Sequence, residues 1–189
     1  MLGDLFRPFA YLTIRHPSRL PLWVNWLLPV GGAGIVMAVL LGFDVAINAF
    51  GEQGFVARLL AFVQTLVGFY IAALAAVASF NSPHLDRVMP SPPPTMKVKY
   101  NGVLQEVHLT RRRFLCAMFA YLTALSFLFS IAAITILSLA TPVAAIAPDT
   151  MIAALRPAAL SLFLLAAFQM TSVTFWGLFY LGERMLTPD

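Results

Sequence analysis

TRRRFLCAMFAYLTALSFLFSIAAITILSL, residues 110–139, decides the fold, because three arginines give way at Phe114 to an uncharged apolar run that ends only at Leu139. About 20 such residues cross a bilayer as helix. Three other runs, near residues 24–47, 55–79 and 157–181, are as long. All four are apolar on every face and lack the period-two alternation of a lipid-facing strand, and a helix satisfies its backbone within itself. The reading is therefore an all-α integral membrane protein with four transmembrane helices.

Arg7, Arg15, Arg19, Arg87, Lys97, Lys99, Arg111, Arg112, Arg113 and Arg184 flank or link these runs on one side, and only Arg58 and Arg156 fall on the other. Basic residues mark the cytoplasmic face. Both termini and the central linker are thus expected in the cytoplasm, with a bacterial inner membrane as the location. Composition agrees: 60% of residues are hydrophobic, 11% are charged and mean hydropathy is +0.85, where a soluble domain carries about 25% charged residues. In a soluble protein the net charge of +4 would suggest nucleic acid; here topology accounts for it, and no nucleic-acid partner is expected. Pro8, Pro17 and Pro21 among arginines, followed by a long apolar run, do not fit a cleaved signal, so the first span is expected to be an uncleaved anchor. Cys116 is the single cysteine, which excludes an intrachain disulfide.

The chain divides into residues 1–21, an N-terminal cytoplasmic segment; 22–80, the first two spans; 81–113, a cytoplasmic linker; and 114–189, the last two spans with a short tail. In the first segment Phe6, Phe9 and Leu12 make an apolar stripe at helical spacing, which predicts a short interfacial helix opened by Pro8. Trp23, Trp26, Trp176 and Tyr180 stand where an aromatic belt would. After Pro29, Gly31, Gly32 and Gly34 strip one turn of side-chain bulk and predict a close helix interface, read as the contact of a homo-oligomer. With no preceding strand and no Lys-Ser/Thr ending, this glycine run is not a phosphate loop.

The linker holds the only sizeable polar piece. Pro90, Pro92, Pro93 and Pro94 predict an extended stretch, after which Met96–Tyr100 and Val103–Leu109 alternate around Asn101-Gly102, the pair that best closes a two-residue β-hairpin. A lone hairpin is marginal in water and must dock on something. Val98, Tyr100, Val103 and Val107, with Arg111, Arg112 and Arg113, are the expected partner-binding residues, the partner being a soluble cytosolic protein or the same linker of an adjacent subunit. Thr110 is placed to cap the third helix, and the three arginines at its positive dipole end call for anionic lipid headgroups or an acidic partner.

Catalysis is not expected. His16, His84 and His108 lie outside the apolar runs, and no Ser-His-Asp, Cys-His or His-Glu-x-x-His constellation can be assembled at informative spacing. A zinc set would have to use His84, Asp86 and His108, whose spacing is unspecific, so no metal or cofactor is expected. Inside the membrane Gln64, Ser126, Ser130 and Gln169, with Thr123 on the same face, predict a polar layer that serves either helix packing or a wet path. Asp44 is the single acid in an apolar run and is expected to pair with Arg58 or Arg156. Pro142, Pro148 and Pro157 are expected to bracket a short outer loop.

The layout is similar to small membrane components of bacterial stress, phage-defence or transport operons. It implies a non-enzymatic, homo-oligomeric subunit that recruits or regulates a cytosolic partner and senses membrane disturbance; the alternative is a pore-forming or permeability-changing effector or a transport subunit. The charge division makes a direct prediction about topology. In a Cys116→Ser background, Glu52→Cys should react with an impermeant thiol reagent on intact cells while Ser82→Cys reacts only after lysis. Labelling of Ser82→Cys from outside would invert the topology.

Overall fold

The computed structural model describes residues 6–43, 47–100 and 103–184. It contains four helices long and apolar enough to cross a membrane: α1 (Leu20–Gly42), α2 (Phe55–Ser79), α4 (Arg111–Ile146) and α5 (Asp149–Phe179). Between α2 and α4 lie the one-turn α3 (Pro83–Asp86) and an antiparallel hairpin, β1 (Thr95–Tyr100) with β2 (Val103–His108). This is a multi-pass helical membrane protein with one small sheet. The expected outer loop is nearly absent. Helix α4 runs through Pro142 and α5 through Pro157, leaving Ala147 and Pro148 as the connection. Each proline removes one N–H, and in apolar surroundings continuing the helix leaves fewer polar groups unpaired than a loop would.

Helix α2 packs along α4, α4 meets α5, and α5 packs along α1, whereas α1 and α2 share no packed interface among the described residues. The spans form an open row in the order α2, α4, α5, α1. The seam of α2 is Val56, Val63, Tyr70 and Val77, all buried and each seven residues from the last, the repeat that keeps one helix face against a neighbour. On α4, Leu115, Met118 and Leu122 are fully buried. A hydrogen bond of 2.6 Å between the Tyr70 hydroxyl and Thr174 Oγ1 ties α2 to α5.

The α1–α5 contact has a different basis. Pro29 has no N–H for the Asn25 carbonyl four residues earlier, and Trp23–Leu27 widen into a π turn in which the Leu28 N–H reaches back five residues to the Trp23 carbonyl. The carbonyls of Val24 and Asn25 are thereby turned out of the helix's own ladder. Gln169 Nε2 donates to the Asn25 carbonyl at 3.0 Å and Ser172 Oγ to the Val24 carbonyl at 2.8 Å. One turn further, Gly32 lets α1 close on Phe168, since a Cβ there would stand 2.6 Å from that ring.

If Gln169 serves the carbonyl that Pro29 frees, the two residues are coupled. Gln169→Leu should cost about 1 kcal/mol in a reversible unfolding titration in mixed micelles. On a Pro29→Ala background, where the introduced alanine supplies the N–H that proline lacks, the same change should cost less than half as much. Equal costs in both backgrounds would refute the coupling.

Candidate functional site

The chain's polar chemistry gathers at the end of the bundle that carries the hairpin. Residues Arg7–Thr13 form a 3₁₀ helix instead of the expected α-helical stripe. With three residues per turn, Tyr11 and Ile14 share the inward face and are buried, Phe9 and Leu12 are half-buried, and Phe6 is exposed. Tyr11 stacks on Tyr121 of α4 with ring centroids 5.2 Å apart, and its hydroxyl donates to Asn25 Oδ1 at 3.3 Å. Burial pushes the Tyr11 phenol well above its usual range, which keeps it a neutral donor. Thus the residue whose carbonyl Gln169 captures is also gripped through its side chain.

The hairpin stands on this strap. The register pairs Tyr100 with Val103 and Thr95 with His108; the turn residues Asn101 and Gly102 lie outside the described residues. Its base docks within the chain: Thr95 N–H donates to the Arg15 carbonyl and Arg15 N–H to the Thr95 carbonyl, both at 3.0 Å. The proline stretch bends at residues 90–92 instead of spacing the hairpin away. Leu109 N–H donates to the Pro94 carbonyl, Met89 N–H to Leu109 and Arg111 N–H to Arg87, so the strands entering and leaving the hairpin are zipped together. Leu109 is 1% exposed beneath them. Beyond the base, Lys97, Gln105 and Glu106 are exposed, with Lys97 opposite Glu106, an arrangement that stabilises a strand pair modestly.

Arg112 closes the other flank. Its guanidinium holds Asp86 in a two-pronged pair, Nε to Oδ1 at 2.7 Å and Nη2 to Oδ2 at 3.1 Å, while Nη1 donates to the carbonyls of Val77 at 2.9 Å and Ala78 at 3.2 Å. A cation on the last carbonyls of α2 also suits that helix's negative end. The hydrogen bonds from Arg112 hold the Asp86 carboxyl below its ordinary range. Thr110 caps α4 as expected from its position, accepting the Arg113 N–H at 3.3 Å.

The three arginines therefore differ. Arg113 is exposed, Arg112 is committed to Asp86 and α2, and Arg111 is buried. Val107 is half-buried; the side chains of Val98, Tyr100 and Val103 lie outside the described residues. The intramembrane polar residues have separate surroundings: Gln64 is exposed, Gln169 serves Asn25, and Ser126 Oγ donates to the Leu122 carbonyl at 2.7 Å with Met170 Sδ at 3.4 Å. Ser130 Oγ is buried without a hydrogen-bond partner among the described residues. Asp44 lies outside the described residues; Arg58 is exposed, and Arg156 lines a cavity with Phe50 and Ala140 at the far end. Gly31 and Gly34 face open space, and Tyr180, expected in the belt, is buried against Phe114. Among the described residues no three His, Cys, Asp or Glu side chains converge as a metal set would. No protein-family model matches this chain, and no curated protein or solved structure matches it significantly.

The Asp86–Arg112 clamp has a pH signature. Because the folded carboxyl titrates below its ordinary value of 3.8, the clamp's contribution is complete above that pH and is lost as the pH falls through the folded value. Thermal unfolding followed by circular dichroism should show no change in this contribution between about pH 8 and about pH 5. Asp86→Asn should lower the midpoint across that range and flatten the drop seen in stronger acid.

Proposed function

We propose that the protein is a non-enzymatic subunit of a bacterial inner membrane, both termini cytoplasmic, that presents its hairpin to a soluble cytosolic protein. The observation that carries this reading is the docked base of the hairpin: β1 and β2 are bonded to each other, and among the described residues only Thr95 is bonded onward through its backbone, to Arg15. Beyond Thr95 each strand keeps an outer edge without backbone bonds among the described residues, and such an edge accepts an added strand. Rigid presentation lowers the ordering cost of binding. A homo-oligomer would array several such hairpins, and the exposed Gly34 face of α1 offers a place for copies to meet. Coupling of the strap to the membrane-buried Asn25 gives a route by which a membrane disturbance would reach the hairpin, as a sensor in a stress or phage-defence system requires.

This reading is favoured over a pore because Gln169, Ser172 and Ser126 all donate to main-chain carbonyls, Ser130 being the member of the expected layer that does not among the described residues. Replacing residues 97–106 by a Gly/Ser linker spares the zipped base. It should leave insertion and the unfolding midpoint near those of the wild type while abolishing recovery of a cytosolic partner after crosslinking in the host. Full host activity after that replacement, lost instead in Gln64→Leu and accompanied by dye leakage from wild-type liposomes, would overturn the scaffold in favour of a pore.

A further inference from the structure

Three hollows at the hairpin end adjoin, each sharing lining residues with the next. The first is a groove of about 730 Å³ along α1 and α5, floored by Gly31 and Gly32 and walled by Ile35, Phe168 and Phe175. It shares Val24, Trp176 and Phe179 with the second, a cavity of about 120 Å³ beneath the strap that Tyr11 and Phe114 help to line. That cavity in turn shares Ile14, His16, Pro21 and Asn25 with the third, a pocket of about 370 Å³ that carries Arg15 and Arg19. From Ile35 to Val24 the groove follows α1 for about 16 Å at 1.5 Å per residue, about half the ~30 Å hydrocarbon thickness. An apolar slot about one leaflet deep thus lies on one side of the strap cavity and two cations on the other, with Trp176 lining the slot and Trp26 the cationic pocket.

We infer that these adjoining hollows bind one anionic glycerophospholipid, an acyl chain lying over Gly31 and the phosphate between Arg15 and Arg19. Charge selects the occupant. Neither arginine has a carboxylate in ion-pair reach among the described residues, and Arg19 is held in the left-handed region at φ 54°, a conformation that costs energy for a residue other than glycine. The hairpin contacts of Arg15 are made by its backbone, which leaves its side chain to the pocket. A second copy of the chain would bring its own α1 apolar face to the groove and nothing anionic to the pocket. Lipid in this site would brace the strap on which the hairpin stands, so the inference adds a ligand to the proposed scaffold without depending on what the hairpin binds.

Gly31 is the informative position, because a Cβ there meets nothing within 4 Å and a leucine fills the groove without displacing protein. Delipidated protein in detergent would be titrated with phosphatidylglycerol or phosphatidylcholine and the bound stoichiometry read by native mass spectrometry. We expect one phosphatidylglycerol to be retained in preference to phosphatidylcholine, and Arg15→Gln and Arg19→Gln each to weaken it about fivefold, the factor matching about 1 kcal/mol per basic residue. Gly31→Leu should lower the affinity of both lipids, and Gly34→Leu, outside the groove, should change neither. Equal retention of the two lipids, no effect of the arginine changes, or a mass showing that Gly31→Leu dissociates a dimer without altering lipid binding would each overturn the assignment.

Discussion

Two carbonyl groups set the architecture. Pro29 and the π turn before it leave the Val24 and Asn25 carbonyls without their ordinary helical partners, and an unpaired carbonyl in hydrocarbon is costly. The acceptors must be met from another helix, and Gln169 and Ser172 fix which one, at what depth and in what rotation. Close approach at Gly32 and the burial of Asn25 under Tyr11 follow from that pairing. Apolar packing alone would specify the contact less sharply, because lipid tails are as apolar as the helix faces they compete with.

The opposite edge of the row is built on shape. Val56, Val63, Tyr70 and Val77 repeat every seven residues along α2, the helix that packs along α4. Its polar fastenings lie at Tyr70–Thr174 and at the Arg112 clamp on the last carbonyls of α2. The two edges meet at the hairpin end, where the N-terminal strap crosses Tyr121 and hands its backbone to Thr95. Strap, hairpin base and α1 are therefore joined by shared hydrogen bonds.

Length and apolarity made the four helices legible in the sequence, and Asn101-Gly102 between alternating residues made the hairpin legible with its register. The spacing of the four seam residues of α2 was equally readable, since each lies seven positions from the last. Other features depend on relations that no local window contains. Tyr11 turns inward because the strap winds with period three, and the helices continue through Pro142 and Pro157 because a membrane penalises loops more than a missing N–H. Arg112 faces inward because Asp86 and the end of α2 arrive beside it. The glutamine at 169 was conspicuous as a polar group in an apolar run, but its partner is a backbone atom exposed by a proline far back in the first span.

That separation shapes how the chain comes to be folded during synthesis. Asn25 and Gln169 are 144 residues apart, and at about 5–20 residues per second a ribosome needs about 7–30 s to cover the interval. Throughout it α1 has no packed neighbour, for α2 docks on α4 and not on α1. Of the four spans, the earliest made is the last to find its place, holding two bare acceptors until the fourth arrives. Such a nascent span is a natural substrate for insertion chaperones and quality-control proteases, and its residence in that state is timed by translation.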